Sequence, residues 1–144
     1  MLRPLLAAAV VLTIAAPAVA ADAQLQAAVA GPQRSEAHKA RDAHRHPVET
    51  LTFWGLKPKQ TVVEISPGTG YWTEILAPYA KATGGTYIAT AADLANPQIS
   101  EAAKQARAAF EQKYADEATF GKITYVGFGP TSGPVAPAGT ADMV

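Results

Sequence analysis

TVVEISPGTGYWTEILAPY, residues 61–79, is the stretch that decides the fold. Its first part, residues 61–65, is β-branched and almost continuously apolar, which is typical of a strand buried on both faces of a parallel sheet. A glycine-rich turn follows at residues 66–70. Apolar side chains then recur at the spacing of one helical face, and Pro78 lies near the predicted end of that helix: Trp72, Ile75, Leu76 and Tyr79.

Two further strands are predicted downstream, at residues 86–91 (TYIATA) and 122–128 (KITYVGF). Between them, Asn96 and Pro97 favour the start of a helix, because asparagine caps helices and proline suits their first turn. The apolar face of this helix would be formed by Ile99, Ala102, Ala103, Ala106 and Phe110. The alternation of strand and helix predicts an α/β fold with a partial doubly wound, Rossmann-like parallel sheet.

The N-terminus has the layout of a secretory signal peptide at residues 1–20. Arg3 precedes an apolar stretch, and Ala18-Val19-Ala20 form a small-residue cleavage pattern. We expect cleavage after Ala20, a periplasmic or secreted protein, and no stable membrane anchor after cleavage. Three further parts are expected: a loose leader at 21–34, an N-terminal helical segment at 35–60, and the α/β domain at 61–144.

Composition excludes several classes of site. The chain has 12 basic and 12 acidic residues, so its formal net charge is zero and gives no indication of a nucleic-acid partner. It has no cysteine, which excludes disulfides and thiolate metal sites. The histidines, His38, His44 and His46, do not predict a metal site, because the spacing of the last two does not share a helix face and no acidic ligand is evident.

The glycine-rich turn stands where α/β proteins bind nucleotide-like ligands, because glycine permits close approach to the backbone and the following helix presents free N–H groups. A dinucleotide fingerprint would need glycine or alanine where Thr73 stands, and a phosphate loop would need Gly-Lys-Ser/Thr, which is absent. The third interpretation depends on Glu64. A carboxylate in so apolar a strand calls for a cationic or N–H partner, because an unpaired buried charge is costly.

An acid followed by Gly-x-Gly resembles the pattern of class I methyltransferases. Residues 41–58 (RDAHRHPVETLTFWGLKP), residues 61–79 and residues 139–144 (GTADMV) together resemble a group of exported, predicted methyltransferase-like proteins of bacteria. The resemblance implies S-adenosylmethionine as cofactor, an unknown methyl acceptor and no single catalytic residue, because methyl transfer depends mostly on positioning. It implies these cofactor-binding residues: Glu64, Ser66, Pro67, Gly68, Thr69, Gly70, Tyr71 and Asp93.

The sequence also departs from the methyltransferase pattern. Ser66 replaces the first loop glycine, and Pro67 removes an N–H donor. Asp93 is the nearest candidate for the acid that holds the ribose, and only Thr131 and Ser132 follow the third strand where an adenine contact is usual. The resemblance places a fourth strand, begun at ADMV, beside the first strand. It therefore implies a C-terminally truncated domain.

Alternatives remain open at this stage. The protein could be a non-enzymatic periplasmic protein of the same fold that binds another small ligand, or an inactive fragment. Tyr71 and Trp72 could border a pocket or belong to the core. The segment from Arg41 to His46 could reach over the pocket or form a solvated helix with i, i+4 pairing.

Overall fold

The computed structural model describes residues 22–144, so the predicted signal peptide at residues 1–20 lies outside the described residues. The strands are β1 (Thr61–Glu64), β2 (Thr86–Ala91) and β3 (Ile123–Gly127). The helices are α1 (Ala23–Ala30), α2 (Glu36–Lys39), α3 (Asp42–Arg45), α4 (Pro47–Phe53), α5 (Thr73–Thr83), α6 (Glu101–Lys113) and α7 (Glu117–Phe120). Across residues 22–144, every helix is too short or too polar to cross a membrane.

The strands form a parallel sheet in the order β1, β2, β3, with Thr61 opposite Thr86 and Tyr87 opposite Ile123. On the other side of β1, Val62 forms a parallel bridge with Met143, and the N–H of Val63 donates to the carbonyl of Met143 at 2.9 Å. The predicted α/β class and parallel sheet are therefore confirmed, as is the position of residues 141–144 beside β1. The arrangement is compatible with part of a Rossmann-like fold.

The core lies between the sheet and the helices that pack on α5. Val62 and Val63 are buried on opposite faces of β1, as its continuous apolar pattern predicts. Helix α5 contributes the apolar face that was predicted for it, with Ile75, Leu76 and Tyr79 all buried. Burial of this face fixes the start of α5, and with it the glycine-rich turn, against the end of β1.

The expectation of a loose leader at residues 21–34 is wrong for its helical part. Residues 23–30 form α1, and the side chain of Asp22 caps it by accepting the N–H of Gln24 at 2.9 Å. Leu25 and Ala28 of α1 are buried, and the hydroxyl of Tyr79 on α5 donates to Asp22. The segment is so rich in alanine that two buried positions leave no visible periodicity in the sequence.

Helix α5 continues past Pro78, which was expected near its end. Proline cannot donate to the carbonyl four residues earlier, which is that of Glu74. The side-chain amide of Gln33 donates to this carbonyl instead, at 3.1 Å. A contact from the N-terminal segment therefore replaces the hydrogen bond that Pro78 removes, and the helix reaches Thr83.

The predicted start of the next helix is also wrong. Helix α6 begins after Ser100, whose hydroxyl accepts the N–H of Ala103 at 3.2 Å. Asn96 accepts the N–H of Gln98 at 2.9 Å, which closes a local turn rather than a helix, and Ile99 lies before the helix. Both sites have capping chemistry, so the local sequence alone does not distinguish them.

Candidate functional site

The glycine-rich turn, residues 66–70, lies at the carboxyl edge of the parallel sheet. On one side β1 is bonded to β2, and on the other side it is bonded to residues 142–143. Open parallel sheets bind ligands outside the carboxyl ends of their strands, at the point where the strand order changes direction. The turn therefore occupies the position at which a ligand is expected for this architecture.

Three residues of the turn have positive φ angles, with 54° at Ser66, 59° at Gly68 and 91° at Gly70. The N–H of Ser66 donates to the buried hydroxyl of Thr90 at 2.8 Å, which holds this non-glycine residue in the left-handed region. A Cβ atom at Gly70 would lie 1.9 Å from the hydroxyl oxygen of Tyr114, whereas a Cβ atom at Gly68 would make only an ordinary contact, 3.9 Å from the carbonyl oxygen of Ser66. Gly70 is required by packing, and Gly68 leaves the backbone open to a ligand.

The carbonyl and side chain of Thr69 hold the turn to two helices. Its hydroxyl lies 3.1 Å from Nε2 of His38, and its carbonyl accepts from Lys113 at 3.1 Å and from the Tyr114 hydroxyl at 3.2 Å. The amides of Gly68 and Thr69 make no hydrogen bond within residues 22–144. The contacts of Thr69 therefore fix the turn, and these two N–H groups remain available to an anionic or polar ligand group.

Glu64 is held by hydroxyl groups, and no cationic or N–H partner contacts it among residues 22–144. Its Oε2 accepts from Thr73 at 3.0 Å and from the hydroxyl of Tyr87. Burial raises the pKa of Glu64, and the two hydroxyl groups oppose that rise. Its other oxygen, Oε1, has no hydrogen-bond partner among residues 22–144, and it is not among the fully buried unsatisfied atoms. One carboxylate oxygen therefore remains free for a ligand.

Glu64 lines an apolar cavity of about 210 Å³ between β1, α4, α5 and residues 143–144. We call it the tryptophan cavity, because Trp54 and Trp72 both line it and their ring centroids are 5.7 Å apart. Leu51, Leu76 and Met143 contribute further apolar surface. A carboxylate in an otherwise apolar, aromatic cavity is a common arrangement for a small-molecule site.

A second cavity, of about 250 Å³, lies on the other side of the turn between β2 and α6. We call it the β2-side cavity, and its lining includes Pro67, Gly68, Thr90, Arg107 and Phe110. Arg107 donates to the carbonyl of Ala92 at 2.8 Å and pairs with Glu111 at 2.6 Å. Sequence analysis missed Arg107, although its spacing from Ala103 and Phe110 places it on their helix face.

A larger cavity, about 590 Å³, lies away from the carboxyl edge, and its lining includes Gln33, Glu74 and Lys113. The charged groups that line it already form ion pairs and hydrogen bonds within the protein. Glu74 accepts the N–H of Ser35 at 3.0 Å, and it lies 3.3 Å from Lys113 and 2.8 Å from Nδ1 of His38, although that ring N–H is poorly aligned. Burial opposes the shift, but these partners hold the pKa of Glu74 below its ordinary value. The groups stabilise the fold around the turn.

Of the two aromatic residues that could border a pocket or belong to the core, Tyr71 is a core residue and Trp72 lines a cavity. The Tyr71 side chain is buried, and its hydroxyl donates to Asp42 at 2.6 Å. Asp42 in turn accepts two hydrogen bonds from Arg34, at 2.6 and 2.8 Å. Burial, followed by the contact with Asp42, raises the pKa of Tyr71 to about 12. The Tyr71 side chain therefore lies outside both cavities.

Asp93 follows β2, as predicted, but it is engaged in loop contacts. Its carboxylate accepts the N–H of Ala95 at 2.9 Å and the hydroxyl of Ser132 at 2.6 Å. The bond from Ser132 is the largest cause of a lowered pKa at Asp93. Asp93 is not part of the lining of the β2-side cavity. Within residues 22–144, no three histidine or acidic side chains cluster as a metal site.

Comparison with family models, curated proteins and solved structures finds no significant match to this chain. The chain contains a mixed α/β domain with a three-stranded parallel sheet, compatible with part of a Rossmann-like fold. A candidate small-molecule site surrounds the turn at residues 66–70. Of the predicted binding residues, Glu64, Pro67 and Gly68 line the two cavities, while Ser66, Thr69 and Gly70 set the shape of the turn.

Proposed function

We propose that the turn at residues 66–70 binds S-adenosylmethionine and that the protein transfers its methyl group to a small acceptor. The observation that supports this most is the placement of Glu64. It ends β1 where the strand order changes direction. Within residues 22–144, one of its carboxylate oxygens and two backbone N–H groups of the following turn have no hydrogen-bond partner. A carboxylate and free amides suit the ammonium and carboxylate of an amino-acid group.

The residues present fit the remaining parts of this cofactor. Glu64 would hold the ammonium group, and the amides of Gly68 and Thr69 would hold the carboxylate. The β2-side cavity would receive the adenosine, since Phe110 offers an aromatic face and the backbone at Gly68 is open. When bound, the cofactor supplies an electrophilic methyl group on a sulfonium centre.

The role of the protein in such a reaction is positioning. The tryptophan cavity adjoins Glu64 and would receive the acceptor against its apolar walls. No base is needed if the acceptor atom is already nucleophilic. The sequence pattern of residues 1–20 supports the further proposal that the protein acts after export.

A non-catalytic ligand-binding protein is the second candidate. The observation that favours it is the double hydroxyl contact of Glu64, which gives this acid a structural role as well. Cofactor supply also favours it, because S-adenosylmethionine is made in the cytoplasm and export would remove the protein from that source. Binding without turnover would distinguish this candidate from the first.

Calorimetry on the full chain tests the proposal, with S-adenosylmethionine, S-adenosylhomocysteine and adenosine as titrants. We expect both cofactor forms to bind more tightly than adenosine. A Gly68→Val substitution should abolish binding by covering the open backbone. Gly139→Val is the matched control, because Gly139 also has a positive φ, 74°, and open surroundings. Equal binding by both variants would contradict the placement of the cofactor.

A further inference from the structure

Two arginines beside the start of α5 have no counter-ion among residues 22–144. The guanidinium carbons of Arg41 and Arg45 lie 5.1 and 4.7 Å from the centre of the Tyr71 ring. Neither side chain makes a salt bridge or hydrogen bond with any of residues 22–144. Arg34 lies on the same ring, at 5.2 Å, but Asp42 neutralises it. The group of three guanidinium ions and one carboxylate is therefore net positive.

The chain holds these two arginines in place although their charges repel. Arg41 and Arg45 are four residues apart at the two ends of α3, a spacing at which like charges destabilise a helix. His46 follows with a φ of 43°, which is uncommon for a residue other than glycine, and Pro47 then begins α4 as a buried residue. These features fix the end of α3. The geometry concentrates positive charge where an anion would relieve the repulsion.

The positive group adjoins the tryptophan cavity through one shared side chain. The guanidinium carbon of Arg45 is 5.8 Å from the ring centre of Trp72, and Trp72 lines the cavity. The cavity measures about 210 Å³. An apolar cavity of about 150 Å³ admits a benzene molecule. The tryptophan cavity therefore has room for one substituted aromatic ring.

We propose that the methyl acceptor is a small aromatic carboxylic acid that also carries an amino group on its ring, with the ring in the tryptophan cavity and the carboxylate on Arg41 and Arg45. The lone pair of the amine would form the new bond to the methyl group as the bond from that methyl to sulfur breaks, and the amine would then release a proton to solvent. Guanidinium groups match a carboxylate with paired hydrogen bonds, which explains the use of arginine rather than lysine. Glu64 lines the same cavity and would repel a second carboxylate. The acid therefore enters with its ring toward Glu64 and its carboxylate toward Arg45. Only the description of this acid as the acceptor rests on the proposed function.

Intrinsic fluorescence reports on this site directly, because the chain has two tryptophans and both line the cavity. The full chain would be titrated without cofactor, using benzoate, the neutral isostere benzamide and inorganic phosphate. We expect a saturable change with benzoate and a weaker response to the other two probes. Arg41→Gln and Arg45→Gln should each lower the affinity for benzoate by about tenfold, the usual effect of losing one charge-assisted hydrogen bond.

The controls separate recognition from general charge effects and from misfolding. Lys122→Gln removes the same charge at the amino edge of the sheet, just before β3, and should leave benzoate binding unchanged. Arg45→Lys keeps the charge but loses the paired hydrogen-bond geometry. This variant should therefore bind benzoate less tightly than the unchanged protein and more tightly than Arg45→Gln. Circular dichroism checks that each variant is folded.

Several results would overturn the proposal: no benzoate binding by the unchanged protein, benzamide or phosphate binding as tightly as benzoate, or equal losses in Lys122→Gln and Arg45→Gln. Calorimetry with S-adenosylmethionine on the same arginine variants distinguishes the two proposals. Cofactor binding should survive in Arg41→Gln and Arg45→Gln. Loss of cofactor binding alone would leave the acid site in place and remove the methyltransferase assignment.

Discussion

Gly70→Ala should be among the most damaging small substitutions in the protein. The alanine Cβ would lie 1.9 Å from the hydroxyl oxygen and 2.6 Å from Cζ of Tyr114. Tyr114 cannot move away freely, because it is buried and its ring packs against Phe110 and Phe120, with centroids 4.7 and 5.1 Å apart. Gly70 also has a φ of 91°, which side-chain-bearing residues rarely adopt.

Two separate costs contribute to the expected loss. Placing alanine in the left-handed region costs about 1–2 kcal/mol. Overpacking a tight site costs about 1–3 kcal/mol more. The free energy of unfolding should therefore fall by about 2–5 kcal/mol, a large part of the usual 5–15 kcal/mol.

Urea unfolding followed by circular dichroism measures this loss, with Gly68→Ala as the matched control. Gly68 has a φ of 59°, but a Cβ there would make only an ordinary contact, 3.9 Å from the carbonyl oxygen of Ser66. Gly68→Ala should therefore show the backbone cost alone, about 1–2 kcal/mol. Equal losses for the two variants would refute the claim that Tyr114 packs against the turn.

Three further predictions concern other parts of the account. Gln33→Ala should lower the free energy of unfolding by about 1–3 kcal/mol, because the carbonyl of Glu74 loses the donor that replaces the N–H missing at Pro78; a thermal melt at neutral pH tests this, and exposed Gln105→Ala should change little. The pKa of Glu74 is lowered on folding, so its stabilising contribution is complete above the ordinary value, 4.5, and is lost as pH falls through its folded value. The free energy of unfolding, measured from pH 7 to pH 3, should therefore depend less on pH in Glu74→Gln than in the unchanged protein. The same loss of stability at acid pH in both proteins would contradict the stabilising role of the Glu74 carboxylate. Intact-mass measurement of secreted protein should find Ala21 as its first residue, and retention of residues 1–20 would count against export.

The strands could be predicted from the sequence because their signal is local. Residues 86–91 form β2 with the bounds that their β-branched and aromatic pattern indicates, and β1 ends only one residue earlier than predicted. The start of α6 could not be predicted in the same way, because both Asn96 and Ser100 can cap a helix and tertiary packing selects between them. Helix α1 was missed because α5 supplies the surface that stabilises it.

The sequence singles out the turn as a candidate site, but most of the contacts around it could not be predicted. The turn and Glu64 could be recognised because strand, glycines and helix are consecutive. The hydroxyl partners of Glu64 could not, since Tyr87 is 23 residues away and lies on the neighbouring strand. Arg107 on α6 and Trp54 just after α4 line the two cavities, and no sequence motif connects either residue with the turn. Such contacts depend on the packing of elements distant in the chain.

Calorimetry of S-adenosylmethionine with Glu64→Gln tests the central claim most directly. Glu49→Gln is the matched control, because Glu49 is exposed on α4 and makes no ion pair within residues 22–144. Glu64→Gln should remain folded, since burial already raises the pKa of Glu64 and disfavours its charge. The unchanged protein and Glu49→Gln should bind alike, and Glu64→Gln should lose about 1.5–3 kcal/mol of binding free energy. Equal affinity in all three proteins, or no binding by the unchanged protein, would contradict the claim that this site holds the cofactor.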